Sequence, residues 1–181
     1  EHAERNALPV HFFTMLIWRE SLFDDQALSP AGAEGIAQFM PKTAELRGLN
    51  NSFDYREALP ASAEYLAFLR GKFGNLGLAA AAYNLGEQGA ADWISGKRGL
   101  PYETEDYVLE ITGHAAADWR VARAELDIPG IGGAGGFAET CTKLALRQVP
   151  PPSATVHRAP KKPWGVVVAG GFSEGRTLKT F

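Results

Sequence analysis

Between Pro9 and Trp119 the large apolar residues recur at steps of three and four, and no stretch before residue 160 alternates in the two-residue rhythm of a strand. That rhythm restricts the fold to packed helices, because each apolar stripe must find another helix to cover it. Phe12, Phe13, Leu16 and Ile17 outline the first helix, with Pro9 near its first turn. Pro41 and Gly48 bracket a short second one. A longer helix runs from Asp54 through Leu59, Ala63, Leu66, Leu69 and Phe73 and stops at Gly74-Asn75. Two short helices are expected over Leu78 to Tyr83 and Glu87 to Ile94. Glu103 to Trp119 reads as one continuous helix, with Thr104, Tyr107, Val108, Ile111, Ala115 and Trp119 on one side and acidic residues in its first turn.

The 181 residues suit one core with a small appendage. The expected organisation is an all-α domain over 1–125, a Gly- and Pro-rich linker over 126–163 with a short helix at 137–148, and a β-forming tail over 164–181. Phe137, Cys141 and Leu144 have the spacing to dock that short helix on the first domain. Gly130-x-Gly132-x-x-Gly135 matches a dinucleotide fingerprint in form, but no strand feeds it, and it reads as linker.

Composition removes several functions. Eighteen Lys and Arg against 21 Asp and Glu leave a net charge of −3, which is unsuited to a strongly basic nucleic-acid binder. With 45% hydrophobic residues the chain is not disordered throughout. No apolar run approaches the ~20 residues of a membrane-spanning helix. A single cysteine and histidines at 2, 11, 114 and 157 give neither an internal disulfide nor zinc-ligand spacing. His114 reads as a surface or capping residue and Lys161-Lys162 as solvated linker charge. The chain opens Glu1-His2-Ala3-Glu4-Arg5, so it carries no information on targeting.

Glu20 is the anomaly. It falls four residues after Leu16 and seven after Phe13, which sets a carboxylate on or beside the apolar stripe of the first helix. One reading is a structural glutamate paired with an arginine such as Arg19 or Arg47. The other is a catalytic acid, raised in pKa by burial and by its place near a helix C-terminus. Asp24 and Asp25, nearby in a loop-like stretch, read as solvated turn residues.

The wider context favours the second reading. Glu20-Ser21-x-Phe23 is followed by Ser29-Pro30-Ala31-Gly32, then Gly35-Ile36-Ala37-Gln38-Phe39-Met40-Pro41, Ala80-Ala81-Ala82-Tyr83-Asn84-x-Gly86 and Leu100-Pro101-x-Glu103-Thr104-x-x-Tyr107-Val108. These motifs, in this order over about residues 5–115, resemble the soluble lytic transglycosylase catalytic domain, a goose-lysozyme-like fold acting on peptidoglycan. The resemblance implies that Glu20 is the catalytic glutamate and that Ser29, Gln38, Tyr83, Asn84, Glu103 and Tyr107 line the glycan cleft. Leu22 stands where such domains often have glycine, and Ile36-Ala37 where they often have Leu-Met. Both changes are expected to affect packing, with Leu22 able to narrow the site. Lys162 to Ser173 resembles the opening of an SPOR domain, which binds peptidoglycan stripped of its stem peptides; a β-forming tail with no partner fits those residues equally.

The chemistry implied is cleavage of the MurNAc-GlcNAc β-1,4 bond by one carboxyl group, acid first and base second, leaving 1,6-anhydro-MurNAc ends. Glycosidases commonly use two carboxylates, so a goose-type lysozyme that hydrolyses the same bond is the neighbouring alternative, and a catalytically weak wall-binding module is another. Gln38 and Asn84 carry amides that read sugar hydroxyl and N-acetyl groups without ionising, although they and Tyr83 are equally readable as buried structural hydrogen-bonders. Glu103 could simply favour a helix dipole. No cofactor or metal is called for. The implied partners are glycan strands in the bacterial periplasm or cell envelope, with a cell-wall synthesis or division complex as the setting.

Overall fold

The computed structural model describes residues 1–122, 124–130 and 136–146. Nine helices occur among them: α1 (His2–Arg5), α2 (Val10–Ser21), α3 (Pro41–Leu46), α4 (Tyr55–Phe73), α5 (Leu76–Leu85), α6 (Glu87–Ile94), α7 (Tyr102–Thr112), α8 (Ala116–Val121) and α9 (Gly136–Ala145). The dinucleotide-like glycines 132 and 135, the Pro-rich stretch, Lys161-Lys162 and the SPOR-like tail lie outside the described residues.

The alanine-rich α5 sits at the centre, packed against α4, α6, α7 and α8, with Leu76 to Ala82 all buried. Small side chains let the surrounding helices approach closely. At Gly77 even a methyl group is excluded, since a Cβ there would lie 2.0 Å from the Trp119 ring. Asn75 starts this helix two residues earlier than the apolar pattern suggests, because its side chain accepts the Leu78 N–H at 2.9 Å. Asp54 caps α4 in the same manner through the Arg56 N–H, and Gly74 ends α4 in the left-handed region at φ +101°.

One expected helix is two. The run from Glu103 to Trp119 breaks at Gly113, whose φ of +74° closes α7, and α8 restarts at Ala116. Thr112 stabilises the break: its hydroxyl donates to the Val108 carbonyl at 2.7 Å and accepts from the Trp119 indole N–H at 3.0 Å. Apolar periodicity continues across the turn because Trp119 folds back onto the same core, so spacing alone does not reveal it.

The packed unit also continues past residue 125, beyond the expected boundary. Glu125 pairs with Arg70 Nε at 2.7 Å and accepts the Leu76 N–H at 3.0 Å, while Ile128 is buried in the core. His11 Nε2 donates to the Ile128 carbonyl at 3.0 Å and His114 Nε2 to the Asp127 carbonyl at 2.7 Å, which gives His114 a structural task. Beyond this segment α9 lies against α2 with Leu144 buried. A short helix therefore occurs in this segment, but of the three residues expected to dock it only Leu144 is buried, Cys141 is half-buried and Phe137 is exposed.

Candidate active site

Glu20 is the penultimate residue of α2, whose stripe of Phe12, Phe13, Leu16 and Ile17 is buried. The helix closes with Leu22 at φ +56°, and Phe23 follows at +67°. Glycine is the ordinary occupant of that region. The expectation that Leu22 narrows the site is not met: it lies outside the cleft lining, and its consequence is a strained helix cap.

Residues 22–40 then form a loop facing α2, knit by the single antiparallel bridges Leu28 to Glu34 and Glu34 to Phe39 rather than by a strand. Gly35, at φ +70°, is its tightest point, where a Cβ would fall 1.8 Å from the Ser52 carbonyl oxygen. Four side-chain hydrogen bonds fasten the rest. Ser21 Oγ donates to the Ile36 carbonyl at 2.7 Å, and Tyr83 Oη to the Ala37 carbonyl at 2.8 Å. Gln38 Nε2 donates to the Gly35 and Ala27 carbonyls at 2.8 and 3.2 Å. The Glu-Ser pair thus has a plain physical reason, since the serine ties the acid's helix to the loop across the cleft.

All seven residues singled out in the sequence, Glu20, Ser29, Gln38, Tyr83, Asn84, Glu103 and Tyr107, line one cleft of about 420 Å³. Their polar atoms are differently committed. Ser29 Oγ accepts the Ala33 N–H at 2.9 Å and keeps its proton for another acceptor. Both Gln38 donor bonds go to carbonyls, so its amide oxygen is what remains to receive a ligand. Asn84 Oδ1 accepts from Thr104 Oγ1 at 2.8 Å, which leaves the amide N–H₂ as its available donor. Tyr83 donates to Ala37 and accepts from Ser62 Oγ at 3.0 Å, so its hydroxyl is occupied and its pKa stands well above the usual value, chiefly through burial.

Sequence reasoning missed Arg19 and Met40 in the lining, and Ser62 and Thr104 behind it. Ser62 carried a usable signal: it is a polar residue on the buried face of α4, four residues from Ala58 and from Leu66. Asp24 and Asp25 do not line the cleft. Asp24 caps a turn by accepting the Gln26 N–H at 2.9 Å.

Glu20 is half-buried and makes no ion pair among the described residues. The arginines that could have neutralised it are engaged elsewhere, Arg19 with Glu110 and Asp106 and Arg47 with Glu87. Its pKa rises from 4.5 to about 7, driven first by loss of water around the carboxyl. A hydrogen bond from Tyr107 Oη to Glu20 Oε1 and the charge of Arg19 oppose the rise, while Glu103 adds to it. Such a carboxyl is part protonated at neutral pH and can both give and take a proton.

Residues 1–105 match the transglycosylase SLT domain, more than half of the chain. The chain belongs to that family. Tyr107, the hydrogen-bond donor to Glu20, lies just beyond the matched residues of the SLT domain. Similar proteins include the membrane-bound lytic murein transglycosylase F of Desulfosudis oleivorans, 33% identical over 91 residues, which covers 46% of this chain and 20% of that protein. A putative soluble lytic murein transglycosylase of Haemophilus influenzae is 33% identical over 124 residues, 56% of this chain and 21% of that one. The solved lytic transglycosylase Slt of Pseudomonas aeruginosa, an inactive glutamate-to-glutamine mutant, aligns with a TM-score of 0.55 at 27% identity, covering 61% of this chain and 21% of its own. The chain therefore spans about a fifth of the length of each relative.

Proposed function

We propose that the chain is a peptidoglycan lytic transglycosylase acting on the MurNAc-GlcNAc β-1,4 bond, with Glu20 as acid and then base. The observation that carries this reading is a carboxyl group in a polar cleft, without a cationic partner and with a pKa near 7. The names of the relatives agree with it, as does the inactive glutamate-to-glutamine form of Slt.

The sequence of events is short. Protonated Glu20 delivers its proton to the glycosidic oxygen as the bond to the anomeric carbon breaks, and the substrate's N-acetyl oxygen shields the charge that develops. Glu20, now ionised, takes the proton of the 6-hydroxyl of MurNAc, whose oxygen closes on the anomeric carbon. The product is a 1,6-anhydro end, no water is consumed, and Glu20 is returned to its starting state. Ser29, the Gln38 amide oxygen and the Asn84 amide donor are available to orient hydroxyl and N-acetyl groups.

One observation favours a hydrolase instead: Glu103 is a second carboxylate in the same cleft, and a second carboxylate can activate water. Mass analysis of fragments from purified sacculi separates the two, because anhydro ends are lighter than reducing ends by one water. Anhydro ends support the transglycosylase; reducing ends alone replace it with the hydrolase. A peptidoglycan substrate implies the bacterial periplasm or cell envelope as the setting. Among the described residues no helix is long and apolar enough to cross a membrane.

A further inference from the structure

The seam between α2 and α7 holds two polar links side by side. In one, Tyr107 of α7 donates its hydroxyl to Glu20 at the end of α2. In the other, Arg19, the residue before Glu20, reaches Asp106 and Glu110, which lie on either side of Tyr107 along α7. Arg19 Nε is 2.6 Å from Glu110 Oε2, without the alignment of a hydrogen bond, and Nη2 is 3.5 Å from Asp106 Oδ2. The arginine side chain is only 13% exposed, whereas its acidic partners are 50% and 38% exposed. A cation buried to that degree beside an acid is a strong local field, and two carboxylates hold it on the α7 side rather than on Glu20.

We propose that Arg19 is a positioning residue for Glu20. Its guanidinium, clamped by Asp106 and Glu110, fixes the seam that brings Tyr107 to the acid and sets the pH at which the acid releases its proton. This rests on the reading of Glu20 as the acid. The groups facing Glu20 are Arg19 on its own helix, Tyr107 and Glu103 on α7 and Tyr83 on α5. Arg19 is the cation of this set. Removing it leaves the Tyr107 hydroxyl as the group of this set that still stabilises the carboxylate, so the proton is held to higher pH. Neutralising Glu110 or Asp106 removes the charge that offsets Arg19, and the proton is lost at lower pH. Two substitutions in one ion cluster therefore move one titration in opposite directions, which a merely structural pair does not do.

The test is the titration of the Glu20 carboxyl followed by ¹³C NMR in the full chain, assigned with Glu20→Gln, alongside the pH profile of cleavage. Arg19→Gln is expected to move the midpoint up by roughly half a pH unit. Glu110→Gln and Asp106→Asn, at exposed positions that tolerate substitution, are expected to move it down. Arg19→Lys keeps the charge but not the two-armed clamp, so kcat should fall while the midpoint moves up by less than in Arg19→Gln. Midpoints unchanged in Arg19→Gln and Glu110→Gln, or shifted in the same direction, overturn the proposal. Because the NMR titration needs no turnover, it stands even if the chain proves to cleave a different bond, and product mass alone decides that question.

Discussion

Two glutamates of this chain accept hydrogen bonds from buried tyrosines and end in opposite states. Glu20 in the cleft accepts from Tyr107, and Glu87 at the start of α6 accepts from Tyr65 at 3.3 Å. Burial acts to raise both pKa values. At Glu87 it is outweighed by Lys72 at 2.6 Å, by Arg47 at 3.3 Å and by the Tyr65 hydroxyl, and the carboxyl lies below its ordinary value. Arg47 also stacks over Tyr65 and Phe68, so it is held from two sides. At Glu20 the nearby arginine, Arg19, is diverted to α7, and the carboxyl rises to about 7. A tyrosine partner does not make an acid; burial does, where no directly paired cation outweighs it.

The comparison breaks most sharply at the acids themselves. Glu20→Gln should reduce cleavage by about 10²–10⁴-fold, because the amide keeps the shape and cannot carry the proton. Turnover assays on sacculi read this, and retained activity removes Glu20 from the mechanism. Glu125, which is bonded to Arg70 and to the Leu76 N–H, is a third glutamate and a structural one. A chain ending near Arg123 loses these bonds, the burial of Ile128 and the contact of α9 with α2, and should lose about 2–4 kcal/mol in denaturant titrations. A chain ending at 146 should lose none of it.

Smaller effects sharpen the contrast. Glu87→Gln should cost about 1 kcal/mol at pH 7, since its partners are partly exposed and screened, and should leave cleavage nearly intact. A loss of activity with no loss of stability would mean that Glu87 takes part in the chemistry. Leu22→Gly changes the strained cap next to Glu20 but none of its charged neighbours. Relief of the left-handed conformation and the added freedom of the unfolded chain nearly cancel, so stability should change by less than about 1 kcal/mol, with the pH profile unmoved.

Much of the helical frame was legible in the sequence because caps and apolar steps are local: Asp54, Gly74 and the α2 stripe lie where the pattern puts them. The break at Gly113 was not, because Trp119 keeps the apolar rhythm while folding back on Thr112. The cleft residues could be named from their motifs, but not their commitments. Whether Gln38 offers a donor or an acceptor depends on its φ of +49°, on the nearby Gly35 carbonyl and on the Ala27 carbonyl eleven residues away. Nor could the sequence choose between Arg19 and Arg47 as partner for Glu20. The choice is made by Glu110 and Glu87, residues that only the packing of α2 on α7 and of α3 near α6 brings within reach.

The central claim is that Glu20 is held in a site that disfavours its charge, and the stability difference between Glu20→Gln and the natural protein as a function of pH tests it most directly. Below the unfolded value near 4.5 the carboxyl is protonated whether the chain is folded or not, and the difference is a constant. Between pH 4.5 and about 7 the unfolded chain ionises first, so the natural protein loses stability that the glutamine variant keeps. Above about pH 7 the gap should level off, having grown by about 3 kcal/mol in favour of the variant. A gap that stays flat from pH 4 to 8, or one in which the natural protein gains on the variant as pH rises, would show that Glu20 is an ordinary paired carboxylate and contradict the account.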